Sequence, residues 1–357
     1  MKNIKYPFLM ALLSISLVFS CSKDSDGGGT SIEVGSTLTA EMGSDLSQQV
    51  YVDLSTGKMT PVKVNTWELA FENKGSGLRT NSAKKVSVAT PTATDFDAID
   101  SDAGLVYAFD SEDGDLNTTA MAGWQTNTPY IIDLGVDENG NALGKKKFMI
   151  TASDASTVSI QYADLDGSNA GSTDISLGDG NFTYFSFINE GVATVEPASW
   201  DFVLSAISVR TGAPCFALGP NAVPGINCDI YRLAASAITN SYDGVEIAKD
   251  DPTENLEQND DPEAEKNKHT ITSSNFDQLL ISDFNSLGGS EAANAIGRSW
   301  LQILAPHSSG IYKVYDFITY IAKDQEGNYY KLRFLAYKGG TNAENGFPTF
   351  EYELLTN

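Results

Sequence analysis

The apolar residues of this chain recur with a period of two. Alternating or β-branched runs fall at residues 49–54, 66–71, 84–89, 148–152, 157–162, 182–187, 199–204, 312–322, 329–337 and 349–355. Alternation puts successive side chains on opposite faces of an extended backbone, so each run predicts a strand with at least one buried face. Turn chemistry separates the runs, as in Ser55-Thr56-Gly57, Glu138-Asn139-Gly140, Asp166-Gly167 and Gln325-Glu326-Gly327-Asn328, where Gly and Asn supply the backbone angles of a tight reversal. Residues 312–355 read as an antiparallel meander. Long amphipathic helices are missing from the pattern, and short ones are expected only at 94–99, 275–280 and 292–301. The fold class that follows is all-β, mainly antiparallel, with few short helices.

The pattern also repeats. Residues 50–71 run strand, turn, strand and end in Trp67-Glu68-Leu69-Ala70-Phe71, while residues 182–204 do the same and end in Trp200-Asp201-Phe202-Val203-Leu204. An Arg-Thr pair follows each, Arg79-Thr80 and Arg210-Thr211. This echo points to an internal duplication with two β-rich halves, residues 35–175 and 176–357. Trp67 and Trp200 are expected as core anchors, with the neighbouring acid turned to the opposite face of the strand. Arg79 and Arg210 are expected to pair with acids and fix the sheet corners. Residues 243–268, rich in Asp and Glu and holding Pro252 and Pro262, interrupt the β pattern as a solvated acidic insertion.

The first residues carry an address. Lys2 and Lys5 precede an apolar stretch over residues 8–19, too short for a confident membrane span and suited to a secretory signal over residues 1–20. Leu17-Val18-Phe19-Ser20-Cys21 resembles a bacterial lipoprotein box, which implies cleavage before Cys21, acylation of that cysteine and contact with the membrane through the lipid anchor alone. Residues 21–34 are a flexible tether. Lys23-Asp24 and Asp26 resemble the acidic export signals of surface lipoproteins in Bacteroidetes, which implies an outer-membrane, cell-surface location. In an oxidising compartment Cys215 and Cys228 are a disulfide candidate, worth about 3 kcal/mol for a loop of this size.

Charge and composition remove whole classes of function. The net charge is −24, from 23 Lys and Arg against 47 Asp and Glu, and removal of residues 1–20 takes it to −26. Such a chain repels phosphate backbones, so nucleic acid is not an expected partner. Two histidines, His269 and His307, and three cysteines are too few for a multi-histidine zinc or copper centre or an iron–sulfur cluster. The Asp-rich turns starting at Asp110, Asp137 and Asp164 lack the Glu that an EF-hand needs at its twelfth position, where Met121, Phe148 and Ile175 stand. They read as turns whose carboxylates satisfy local backbone groups. No nucleophile elbow, zinc-protease motif or phosphate-cradling loop is present, and no residue is assigned as catalytic; the chain reads as a non-enzyme.

Trp200-Asp201-Phe202 through Val209-Arg210-Thr211, preceded by Tyr184-Phe185-Ser186-Phe187, resembles the HmuY family of Bacteroidetes haem-carrying lipoproteins. Trp67 to Phe71 with Arg79-Thr80-Asn81 resembles the same signature, and Tyr329 to Phe334 with Gly346 to Glu353 is similar to the family's closing hairpin. The resemblance implies a surface-attached protein that binds haem or a related tetrapyrrole reversibly and hands it to a TonB-dependent outer-membrane receptor in iron acquisition. It implies axial iron ligands of His or Met type, for which the candidates here are His307, Met121 and Met149, with no metal beyond the haem iron. The alternative is a divergent, haem-free member that binds glycan or protein, which fits the scarcity of histidine, the extra front half and the acidic insertion.

Overall fold

In the computed structural model of this chain, residues 36–210, 231–252, 274–303 and 310–356 are described. They run through one order of elements twice. The first pass holds β1 (Ser36–Thr39), the hairpin β2 (Gln48–Asp53) and β3 (Lys58–Lys63), β4 (Leu69–Glu72) and β5 (Leu78–Thr80). A 3-10 turn (Ser82–Lys84) follows, then β6 (Ser87–Ala89), β7 (Pro129–Asp133), β8 (Lys145–Ser153) and β9 (Thr157–Asp164). The second pass holds β10 (Gly171–Ser176), the hairpin β11 (Phe182–Ser186) and β12 (Gly191–Ala193), β13 (Phe202–Arg210) and β14 (Tyr231–Thr239). Another 3-10 turn (Ser241–Asp243) leads to β15 (Glu246–Asp250), α1 (Ile281–Leu287) and the paired strands β16 (Leu301–Ile303) and β17 (Tyr312–Val314). The chain closes with β18 (Thr319–Lys323), β19 (Tyr329–Gly339) and β20 (Glu344–Leu354).

The two passes do not fold side by side; they exchange strands. β10 completes the sheet β10-β9-β8-β7-β6, and β1 completes β1-β20-β19-β18-β15. The first hairpin of each repeat pairs into the other repeat, giving the four-stranded sheets β14-β13-β2-β3 and β12-β11-β4-β5. Every ladder named here is antiparallel.

Period-two alternation then builds four layers. Val50 and Val52 of β2 and Phe202 and Leu204 of β13 pack onto the five-stranded sheet of the second repeat, with Tyr320, Leu332 and Phe350. Leu69, Phe71 and Phe185 pack onto the sheet of the first repeat, with Phe148, Ile150 and Ile160. The alternate residues, Tyr51, Ala70, Tyr184 and Val203, face the opposite way and meet between the two four-stranded sheets, with Trp67 and Trp200. Burial of apolar side chains on both faces of each four-stranded sheet holds the repeats together.

The all-β, antiparallel expectation holds, and β18, β19 and β20 form the expected meander. Residues 94–99 and 292–300 are turns and bends rather than helices, and Leu301 opens β16. Within 275–280 a short 3-10 helix forms over Phe276–Gln278, and α1 follows it, where the Asp283 carboxylate accepts from the Leu280 backbone N–H at 2.9 Å and Phe284 is buried beside Ala248, Leu279 and Ile321. The acidic stretch 243–268 opens with β15, because Val245 and Ile247 are buried on one side and Ala248 on the other. Residues 253–268 lie outside the described residues. In the Asp-rich turns, the Asp137 carboxylate accepts from the backbone N–H groups of Asn139 and Asn141 at 2.9 and 2.8 Å. Among the described residues no group of three or more His, Cys, Asp or Glu is arranged to hold a metal ion.

Candidate functional site

The seam between the four-stranded sheets repeats itself in detail. Trp67 and Trp200 stand just before β4 and β13, and each meets the tyrosine of the other repeat's hairpin edge-on. Trp67 lies 4.9 Å from Tyr184 at 72°, and Tyr51 lies 5.0 Å from Trp200 at 83°. The acid after each tryptophan is buried rather than solvated. The two residues precede their strands, so the period-two rule does not reach them. Glu68 and Asp201 are buried and accept a backbone N–H from the partner hairpin, Phe187 to Glu68 at 2.7 Å and Leu54 to Asp201 at 2.6 Å. Asn81 and Asn240 close the corners, each donating a side-chain N–H to the carbonyl of Trp67 or Trp200 at 2.9 Å.

This register corrects the sequence alignment of the repeats. The partner of Arg79-Thr80-Asn81 is Ile238-Thr239-Asn240, not Arg210-Thr211. β4 reverses within residues 73–77, whereas β13 is nine residues long, so equal spacing from the tryptophan does not give equal position. Arg210 ends β13, while Arg79 enters the seam. Its Nη2 donates to the Tyr184 hydroxyl at 2.9 Å and lies 3.7 Å from Glu196, and its guanidinium stacks 3.9 Å over Phe182. The Tyr184 hydroxyl donates to Glu196 at 2.5 Å.

Two hollows flank this cluster. One, of about 90 Å³, sits inside the seam against Gln49, Tyr51, Trp67, Arg79, Val203 and Ile238. Its walls are mostly apolar. Asp110 lies at its edge, and burial pushes that carboxyl up to about 6 against the backbone N–H bonds from Ala120 and Thr80. The other is an open cleft of about 510 Å³ on the far side of Tyr184 and Trp200, bounded by Thr183, Glu196, Asp243 and Gln325. Burial raises the Glu196 carboxyl, while Arg79 and the Tyr184 hydroxyl pull it down. Burial also raises the phenols of Tyr51 and Tyr184, which keeps both protonated and usable as donors.

Met121 is packed in the apolar core of the first repeat, and Met149 is half-buried on β8. Neither lines the seam hollow or the cleft. His307 falls in residues 304–309, between β16 and β17 in the chain, and lies outside the described residues, as do Cys21, Cys215 and Cys228. Sequence reasoning missed Gln49, Tyr51, Tyr184, Asp110 and Glu196 as site residues. Extending the repeat back into the first hairpins would have found the two tyrosines, which stand at the same register.

Fold and site together define a duplicated antiparallel β protein whose repeats close on a shared aromatic seam. The HmuY family model, described as HmuY protein, matches residues 45–180 and again 178–352, so the chain belongs to the HmuY family and consists of two HmuY-like halves. Among solved structures it is similar to apo PinO from Porphyromonas gingivitis, with 10% identity, 90% of this chain and 97% of that chain covered, and a TM-score of 0.28. It is also similar to the apo HmuY analogue of Tannerella forsythia, with 10% identity, 91% and 100% coverage and a TM-score of 0.18. No curated protein matches the chain. The family assignment rests on the two matched segments.

Proposed function

We propose that this chain is a lipid-anchored cell-surface carrier of haem or a related tetrapyrrole that passes its cargo to a TonB-dependent outer-membrane receptor. The observation that carries this reading is the HmuY match over both repeats; the family's association with haem supplies the cargo. Cys21 would take the lipid and residues 22–34 would set the protein off the membrane. Cys215 and Cys228 would close a disulfide in that compartment. The open cleft of about 510 Å³ is within the ~300–1,000 Å³ usual for small-molecule sites. Binding and release, rather than bond-making, is what such a cleft offers, and the proposal includes no catalytic step.

Iron ligation in this reading falls to His307, since a neutral imidazole is a good haem ligand. Met121 would have to leave the core to reach iron. Met149 is only half-buried, but it borders neither hollow. The test is a haemin titration of the chain lacking residues 1–21, followed by Soret and visible bands in both oxidation states, beside His307→Ala. A saturable one-to-one spectrum that changes in the variant is the expected result. Saturation unchanged by the variant moves ligation to Met149 or a tyrosine and removes His307. No saturable spectrum at micromolar protein overturns the haem reading and leaves the haem-free alternative, for which the polar cleft wall of Thr183, Glu196, Asp243 and Gln325 suits a glycan or peptide.

A further inference from the structure

The turn between β18 and β19 carries an inference that holds whatever cargo the cleft takes. Gln325 in this turn bounds the open cleft, and its Nε2 donates to the Ser199 hydroxyl at 3.3 Å. Asp324 and Glu326 stand on either side of Gln325. Two residues beyond Ser199 is Asp201, tied to the end of β2 by the Leu54 N–H at 2.6 Å, with Asp53 next in the chain. Three segments therefore bring four carboxyls to one corner. Asp324, Asp201 and Asp53 are buried, at 2%, 3% and 8% exposure. The Tyr330 phenol faces the same four carboxyls, and its buried hydroxyl has no partner among the described residues.

No fixed charge neutralises this corner. Lys58 pairs with Asp53 in the β2–β3 register, yet among the described residues none of the four carboxyls has an ion pair. No three of them are arranged to hold a metal ion. The proton remains. Burial lifts Asp201 to about 7, and Asp324, Asp53 and Glu326 push the same way. Burial and then Asp324 raise Glu326 as well. Burial also pushes Asp53 up, but the Ser55 hydroxyl and the Thr56 N–H outweigh it and hold that carboxyl below its usual range. Once Asp201 and Glu326 lose their protons, like charges from the turn and from the corner face each other.

The first repeat supplies the contrast. Its β7–β8 turn closes with the same bonds, Gly140 N–H to the Asp137 carbonyl at 3.0 Å and Asn141 N–H to the Asp137 carboxylate at 2.8 Å. In the β18–β19 turn, Gly327 and Asn328 bond Asp324 in this way at 3.1 and 2.7 Å. The β7–β8 turn also docks beside its corner, where Asn65 Nδ2 donates to Glu138 at 3.1 Å. There the Lys84 ammonium meets Glu68 at 2.7 Å, so that corner needs no proton.

We propose that the β18–β19 turn is a proton-operated flap on the open cleft: with the corner's carboxyls protonated the turn docks and keeps Gln325 in the cleft wall, and with them charged the turn lifts and the cleft widens.

The test is amide hydrogen exchange of the full chain without haemin, with intrinsic rates divided out, between pH ~6 and ~8.5. Asn328 reports the flap and Asn141 is the internal control. Protection of Asn328 is expected to fall about tenfold or more across this range while that of Asn141 holds. The Gln325 side-chain amide signal, assigned by its loss in Gln325→Ala, should move over the same range toward the position of a free amide. Asp201→Asn should abolish both responses. Glu326→Gln, at an exposed position, should weaken both and leaves the buried corner intact. A pH-independent Asn328, or a fall shared equally by Asn141, overturns the flap. So does a Gln325 signal that stays in place while Asn328 responds, since the turn then loosens without leaving the cleft. Responses unchanged in both variants overturn the carboxyl cluster as the switch. None of these readouts involves haem, so failure of the carrier reading and failure of the flap are separate results.

Discussion

Glu68 and Asp201 occupy equivalent corners and do the same backbone work, yet among the described residues only Glu68 has a counter-charge. Glu68 takes the Lys84 ammonium at 2.7 Å, both side chains being almost fully buried. The residue equivalent to Lys84 in the second repeat is Asp243, whose carboxylate accepts from Asn181 and Asn240 at 2.9 and 2.8 Å instead. Among the described residues Asp201 therefore has no cation. Burial drives its carboxyl up to about 7 against the Leu54 N–H, and Asp324, Asp53 and Glu326 push in the same direction as burial. The backbone geometry of a duplicated corner is under tighter constraint than its charge. The N–H of the exchanged hairpin must find an acceptor, and either a paired carboxylate or a protonated one can serve.

The sharpest way to break the comparison is to remove the lysine. Lys84→Met leaves the Glu68 carboxylate buried and alone, which is expected to cost about 3–5 kcal/mol. Asp243→Asn on the exposed turn of the second repeat is expected to cost less than about 1 kcal/mol. Equilibrium urea unfolding gives both values. Glu68→Gln placed on Lys84→Met should recover most of the loss, because it removes the stranded charge. Equal losses for the two single variants would show that the corners do not differ as described.

Next in size is the pH dependence of Asp201. Its folded pKa of about 7 lies above the ~3.9 of an unfolded aspartate. Between those values the folded state holds a proton that the unfolded chain has released. Stability is therefore fully present below pH ~4, falls as pH rises to ~7, and is lowest above it, by up to about 4 kcal/mol. Asp110, raised to about 6, adds to the same slope. Asp201→Asn should flatten the curve between pH ~4 and ~7 and raise stability at the alkaline end. A variant curve parallel to the parent would remove Asp201 as its source. The repeats can also be made alike at the seam, and the effect should be smaller. Arg79→Ile copies Ile238, breaks the bond to Tyr184 and strands Glu196, at an expected cost of about 2 kcal/mol.

How far the sequence reached follows from the same residues. Strand positions, the antiparallel class and the duplication were legible because alternation and the Trp-acid echo are local signals. The exchange of hairpins was not, since which strand pairs with which is a long-range choice that period-two patterning leaves open. The burial of Glu68 and Asp201 and their bonds to the exchanged hairpins were not legible, because they depend on the same long-range pairing. Arg79 was seen but given the wrong partner, Arg210, because the first repeat turns after a four-residue β4 and the second runs on through nine residues of β13. Gln49, Tyr51 and Tyr184 looked like ordinary strand residues. Only the meeting of two sheets makes them neighbours.

The finest test of the comparison is the threonine that follows Arg79 in one repeat and Ile238 in the other. Thr80 and Thr239 are both buried, at 2% and 1% exposure. The Thr80 hydroxyl donates to Asp110 at 2.9 Å, whereas the Thr239 hydroxyl has no partner among the described residues. Valine has nearly the same shape and lacks the hydroxyl. Thr80→Val should cost about 1–2 kcal/mol and lift the Asp110 carboxyl above its value of about 6, because the charged form loses a donor. Thr239→Val removes a group buried without a bond, so it should be neutral or stabilise by up to about 1 kcal/mol. Urea midpoints of opposite sign for one substitution at two equivalent sites would show that the first repeat's loop bearing Asp110, and not the shared fold, decides what this threonine contributes. Losses of equal size would mean that the Thr239 hydroxyl finds a partner in solution and that the two corners are more alike than their side chains suggest.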